Sequence, residues 1–158
     1  MIADKRVLFV CTGNTCRSPM AEALFRQSVS GRPDYSVESA GVAASKGAAC
    51  SRDTARLCKE LDADLTGFRS QPVTGKLLAN ATHVFAMTRG HLAALEERFP
   101  EHTDKYYLVC EFVELPGIGY GADLPDPIGM GREAYQEVAE VLHKAIPTLI
   151  AYMDQTTG

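Results

Sequence analysis

The apolar run Val7-Leu8-Phe9-Val10 leads straight into Cys11, and after five intervening residues Arg17 precedes Ser18-Pro19. Of all the features in the chain, this one narrows the fold most. A short run with no polar alternation suits a strand buried on both faces. Ser18-Pro19 reads as a helix start, with Ser18 free to cap and Pro19 suited to the first helical position. A strand, a short loop and a helix N-terminus in succession form an anion site, because loop amides converge where the helix dipole is positive.

The rest of the chain repeats that alternation. Tyr35 to Ser39 reads as a second strand, ending at Ala40-Gly41. Asp53 to Leu61 reads as a helix with Ala55, Leu57, Cys58 and Leu61 as its apolar positions. A short helix is expected over Gly75 to Asn80, a strand over Val84 to Met87, a helix over Arg89 to Arg98, and a strand over Tyr106 to Val109. From Glu111 to Gly131 the density of Pro and Gly leaves no regular element, and long loops inside compact domains tend to carry function. A last helix runs from about Glu133 towards Met153 with Val138, Val141, Leu142, Leu149 and Ile150 inward, kinked or restarted at Pro147. In the first helix Met20, Ala23, Leu24 and Phe25 supply the buried face, and Glu22 lies near the positive end of its dipole.

Strand and helix signals that alternate along the chain predict an α/β fold with a mostly parallel sheet. The expectation is a three-layer sandwich, a four-stranded parallel sheet flanked by helices, forming one domain over residues 1–158.

Composition excludes several classes. The net charge is −4 with no basic block, which argues against a nucleic-acid partner. No apolar run approaches the roughly 20 residues that cross a bilayer. The charged opening Met1 to Arg6 does not read as a signal peptide, so a cytoplasmic location is expected. The cysteines Cys11, Cys16, Cys50, Cys58 and Cys110 are odd in number and show no scaffold spacing, which favours reduced thiols. His83, His91, His102 and His143 are scattered, each read as surface or packing; no metal and no cofactor is expected.

The loop Cys11 to Ser18 therefore carries the chemistry. A thiol among converging amides and beside a guanidinium is placed to act as a thiolate nucleophile. The same groups hold a phosphoryl dianion: amides of Thr12, Gly13, Asn14, Thr15, Cys16 and Ser18 frame it, and Arg17 grips two of its oxygens. Gly13 lets the backbone turn. The Asn14 side chain pins the loop, and the Ser18 hydroxyl donates to the Cys11 sulfur.

The stretch Val7 to Glu22, with Cys11-Thr12-Gly13-Asn14-Thr15-Cys16-Arg17-Ser18 at its centre, resembles the opening of the low-molecular-weight protein tyrosine phosphatases. Ser39-Ala40-Gly41 and Asp126-Pro127 resemble two later landmarks of that family, so the similarity spans almost the whole chain. The resemblance implies the phosphotyrosine phosphatase I-like fold and a two-step hydrolysis of phosphorylated side chains in proteins. Cys11 is the implied nucleophile, forming a phosphocysteine, Arg17 stabilises the transition states, and Asp126 is the acid and then the base, releasing inorganic phosphate. Asp123 reads as a solvated loop carboxylate. Cys16 is implied as a redox partner, able to form a reversible disulfide with Cys11.

Two positions bear on the substrate. Thr15 resembles the protein arginine phosphatase subgroup, where tyrosine-directed members carry a bulkier aliphatic residue. Its methyl narrows the pocket and its hydroxyl helps place the hydrolytic water. Ile128 stands just after Asp126-Pro127, where phosphotyrosine enzymes of the family place aromatics to flank the substrate ring. Phosphoarginine is thus favoured over phosphotyrosine, although beyond Asp126 no group is evident that recognises a guanidinium. A tyrosine phosphatase proper is the alternative. A thioredoxin-coupled arsenate reductase would need two further cysteines near the third strand, and Val84 to His91 has none. A phosphoryl-carrier module would not need Asp126. A monomer or weak dimer is expected.

Overall fold

The computed structural model describes residues 2–157, which form a parallel sheet of four strands in the order β2-β1-β3-β4. The elements run β1 (Lys5–Cys11), α1 (Arg17–Ser28), β2 (Tyr35–Gly41), α2 (Arg52–Glu60), α3 (Gly75–Asn80), β3 (His83–Ala86), α4 (Arg89–Arg98), a 3₁₀ turn (Pro100–Lys105), β4 (Tyr106–Leu108) and α5 (Arg132–Thr156). β1 lies between β2 and β3, pairing Val10 with Ala40 on one side and with Ala86 on the other.

The apolar run in β1 is explained by its two covered faces. Val7 and Phe9 pack with Met20, Leu24 and Phe25 of α1 and with Val138, Leu142 and Leu149 of α5. Leu8 and Val10 face the other way, against Leu78 of α3 and Leu95 of α4. The four-stranded parallel sheet flanked by helices expected from the alternation is the observed architecture. The chain reverses its direction of travel across the sheet between β2 and β3, so the carboxyl end of β1 opens a crevice, where ligands bind in open α/β sheets.

Local differences have local causes. α1 begins at Arg17, not Ser18, and no side chain caps it. Pro19 is accepted at the third helical position because N–H groups of the first turn have no intrahelical partner; the Thr15 carbonyl instead accepts from the Ser51 amide at 2.8 Å. Glu22 lies beyond the first turn and is bound by Ser39 and Arg26. In α2 it is Thr54, not Ala55, that is buried, because its hydroxyl donates to the Cys16 carbonyl at 3.2 Å. α5 continues unbroken across Pro147 and also buries Tyr135, Ala145, Ile146 and Met153.

The Pro- and Gly-rich segment has no helix or strand, but it is tied down. Cys110 pairs with Ala122 and Leu115 with Gly119 in isolated bridges, and Val113, Leu115, Ala122 and Leu124 are buried. Beneath the sheet's opposite end, Lys5, which is 5% exposed, meets Asp34 at 2.8 Å and Asp154 at 2.9 Å, and Arg32 also binds both carboxylates. That cluster fastens the end of α5 to the start of β1 and β2.

Candidate active site

Cys11 ends β1 and is 3% exposed. Its Sγ lies 2.8 Å from the Ser18 hydroxyl, at the second position of α1. Asn14, fully buried with φ 55°, adopts the left-handed conformation that its short polar side chain tolerates. Its amide nitrogen donates to Ser18 Oγ at 2.8 Å and to Ser39 Oγ at 2.9 Å, and its Oδ1 accepts from the Gln71 amide at 2.9 Å.

Those bonds fix a direction. Since Ser18 Oγ accepts from Asn14, its own proton is free for the Cys11 sulfur. Ser39 likewise passes its proton to Glu22 Oε1 at 2.6 Å, and Glu22 is paired with Arg26. The expected pinning role of Asn14 thus has partners on β2 and on the segment before α3.

Arg17 is 6% exposed, and its Nη1 donates to the Leu124 carbonyl at 2.9 Å. Its Nη2 lies 3.9 Å from Asp126 Oδ2. The loop before α5 therefore delivers both a carbonyl that aims the guanidinium and a carboxylate beside it. Asp126 is exposed, and its Oδ1 accepts from the Ile128 amide at 3.1 Å. Ile128 itself is exposed. Asp123 is more than a solvated carboxylate: its Oδ1 accepts from the Arg89 amide at the first turn of α4 at 2.8 Å, which commits it to anchoring the loop.

Close packing holds the loop from the side of β2. A Cβ built on Gly41 would come 2.4 Å from the Thr12 carbonyl oxygen and 2.9 Å from the Asn14 amide. The Ala43 and Val42 amides bond the Thr12 and Cys11 carbonyls, each at 2.9 Å. The Thr15 hydroxyl lies within van der Waals reach of a Cβ at Gly13, so it lies against that turn of the loop. Cys16 is 5% exposed and its sulfur lies 3.4 Å from the Tyr135 hydroxyl.

One residue was missed from the sequence. His91, read above as surface or packing, is 6% exposed and bonded through Nε2 to Thr12 Oγ1 at 2.7 Å and through Nδ1 to Thr88 Oγ1 at 3.0 Å. Burial first, and the Arg17 guanidinium second, push its titration down to about 4, so the ring is neutral near pH 7. The available signal was its place one turn past the carboxyl end of β3, the neighbour of β1.

The other thiols are poorly placed as nucleophiles. Burial pushes Cys58 up to about 12 and Cys110 up to about 11, and it also raises Cys50. Among the described residues no group of three His, Cys, Asp or Glu side chains is arranged to hold a metal ion. No described helix is long and apolar enough to cross a membrane.

The chain is similar to known proteins in sequence and in fold. The family model for low molecular weight phosphotyrosine protein phosphatase matches residues 6–157. A protein-arginine-phosphatase of Geobacillus stearothermophilus is 40% identical over 144 residues, covering 91% of this chain and 93% of the relative. The crystal structure of a low molecular weight protein tyrosine phosphatase from T. tengcongensis superposes with a TM-score of 0.83 at 40% identity, covering 94% of this chain and 99% of that one. The YwlE arginine phosphatase, as a cysteine-to-serine variant with a phosphorylated active-site serine, superposes with a TM-score of 0.85 at 33% identity, covering 96% and 97%.

Proposed function

We propose that this chain, which belongs to the low molecular weight phosphotyrosine protein phosphatase family, is a cysteine-dependent protein phosphatase whose preferred substrate is phosphoarginine in proteins. The observation that carries the phosphatase reading is the convergence on one loop of the Cys11 sulfur, its Ser18 donor at 2.8 Å, and the Arg17 guanidinium held beside Asp126. A nucleophile, an oxyanion clamp and a proton donor are the three parts that phosphoryl transfer to a side chain needs.

In the first step the Cys11 thiolate attacks phosphorus in line, the bond to the departing nitrogen breaks, and that nitrogen takes the Asp126 proton. The product is a phosphocysteine. In the second step the Asp126 carboxylate takes a proton from water, the water oxygen attacks phosphorus, and the S–P bond breaks. Inorganic phosphate leaves and the thiolate is restored, with the Ser18 hydroxyl donating to it. Arg17 and the amides of residues 12–18 bear the charge that spreads over the phosphoryl oxygens in both steps. The phosphorylated active-site serine in the cysteine-to-serine YwlE variant supports a covalent intermediate on the nucleophile.

The two relatives at 40% identity differ in the substrate they are named for, one arginine and one tyrosine. The residues favour arginine. Thr15 stands where tyrosine-directed members of the family carry a bulkier aliphatic residue, and Ile128 supplies no aromatic flank after Asp126. An arsenate reductase would need a cysteine pair to relay a disulfide, and the raised thiols of Cys50 and Cys58 suit that poorly. All five cysteines are free thiols, in keeping with a reducing cytoplasm.

The test compares kcat/KM on a phosphoarginine peptide and a phosphotyrosine peptide. The wild type is expected to favour phosphoarginine, and Thr15→Ile to shift the ratio towards phosphotyrosine. A wild type faster on phosphotyrosine, with a ratio indifferent to Thr15→Ile, sinks the substrate assignment. Cys11→Ser separately tests the class, since it should abolish turnover on both while still binding phosphate.

A further inference from the structure

The polar contact missing from the sequence reading is one that recognises a departing guanidine, and the pair Thr12–His91 lies directly beside the nucleophile. Thr12 directly follows the nucleophile and its side chain is exposed, so it stands at the mouth of the loop rather than on its floor. An in-line attack by Cys11 sends the leaving group out through that mouth. His91 reaches the same loop through its bond to Thr12 Oγ1 at 2.7 Å, and the charges of Arg17, Asp123 and Asp126 act on its ring.

Two threonine hydroxyls bracket the His91 ring. Thr88 Oγ1 already accepts from the His91 amide at 3.2 Å, and its other contact is with His91 Nδ1 at 3.0 Å. With the Thr88 hydroxyl donating to Nδ1, the ring proton lies on Nε2 and goes to Thr12 Oγ1 at 2.7 Å. Thr12 is left with one unused proton and one unused lone pair, its rotamer held by a buried neutral ring.

Resting on the arginine reading above, we propose that Thr12 is a specificity-determining residue for nitrogen-linked phosphoryl groups and that His91 is its positioning residue. The Thr12 hydroxyl donates to a phosphoryl oxygen, while its free lone pair accepts an N–H of the departing guanidine. An aryl ester has no hydrogen on its bridging oxygen and only a ring beyond it, so it cannot use that lone pair. Without His91 the hydroxyl rotates freely, and the same atom no longer presents donor and acceptor in fixed directions.

The experiment measures kcat/KM on phosphoarginine and phosphotyrosine peptides for the wild type, Thr12→Val, His91→Ala, His91→Gln and the double variant Thr12→Val/His91→Ala. Loss of a hydrogen bond to a charged group predicts that Thr12→Val lowers the phosphoarginine-to-phosphotyrosine ratio about tenfold. His91→Ala is expected to reproduce most of that fall. The double variant should show a ratio no lower than Thr12→Val alone, because His91 acts through Thr12. His91→Gln, whose side-chain amide offers an N–H near the place of Nε2, should recover part of the ratio. Thermal midpoints separate this from a purely structural role, since simple destabilisation does not change substrate ratios. A ratio unmoved by Thr12→Val, or losses that multiply in the double variant, overturns the proposal while the arginine reading stands. A wild type without phosphoarginine turnover overturns both.

Discussion

Replacing Gly41 by Ala tests whether the geometry of the nucleophile loop is imposed from β2. The added Cβ would sit 2.4 Å from the Thr12 carbonyl oxygen, 2.8 Å from Ala44 Cβ and 2.9 Å from the Asn14 amide, where ordinary contact begins near 3.4 Å. The worst shortfall is about 1 Å, against backbone atoms that have no rotamer to change. Neither side yields easily. Gly41 is bonded on both flanks, to the Gln71 carbonyl and from the Val73 amide, each at 2.9 Å, and the Thr12 carbonyl holds Ala43. Overpacking of this kind costs about 1–3 kcal/mol, and for a chain of this size about 2 kcal/mol lowers the thermal midpoint by roughly 4–8 °C. Catalysis should suffer more than stability, because a displacement of about 1 Å in a positioned site costs on the order of a hundredfold in rate. The assay pairs urea denaturation with kcat/KM on an aryl phosphate. Gly75→Ala is the matched control: nothing lies within 4 Å of its added Cβ, and its stability should change by less than about 0.5 kcal/mol. Wild-type stability and turnover in Gly41→Ala would refute the argument. Lost stability with full turnover would refute its catalytic half.

The remaining expectations concern the acid, the far end of the sheet and the second loop cysteine. Asp126→Ala should slow phosphocysteine formation most for substrates with poor leaving groups; single-turnover rates across a series of aryl phosphates check this, and uniform slowing would remove Asp126 from the acid's role. Asp154 is held well below the usual carboxylate range by Arg32, then Lys5, then Tyr35. A lowered folded value means that its contribution is present above the unfolded value near about 4 and is lost as pH falls. Asp154→Asn should therefore lower the thermal midpoint at pH 7, with the gap to wild type closing below about pH 4. After mild peroxide, peptide mapping is expected to find a Cys11–Cys16 link, and oxidation of Cys11 to sulfinic acid without that link would dismiss Cys16 as its protector.

What could be read in the sequence was what local chemistry decides. An apolar run, a Pro or Gly break and a helical period are each properties of a few neighbouring residues. Hence α4 was expected at its observed limits, Arg89–Arg98, and the sheet's strands within a residue or two. The start of α1 was misplaced because Ser18 has two uses, and the structure gives its hydroxyl to Cys11 rather than to a cap. Thr54 displaced Ala55 from the buried face of α2 for a similar reason: a polar group is buried when a distant carbonyl, here that of Cys16, takes its proton. His91 could not be read from spacing at all. Its neighbours at Thr12 and Arg17 are more than seventy positions away in the chain, and only the pairing of β1 with β3 brings the two loops together.

That difference separates the parts of the site by kind. The nucleophile, clamp and amides occupy consecutive positions, because a phosphoryl group is small enough for one turn of loop to surround. Their orientation is supplied from elsewhere. Asn14 needs Ser39 and the Gln71 amide, Arg17 needs the Leu124 carbonyl, Thr12 needs His91, and Cys11 and Thr12 are bonded by the residues after Gly41. These supports come from β2, from the segment before α3, from the first turn of α4 and from the loop before α5. A loop that must hold a dianion before and after attack on phosphorus gains from this arrangement, since its donors stay aimed while the charge on the oxygens changes. The motif therefore names the chemistry, and the sheet order β2-β1-β3 decides which residues hold it in place.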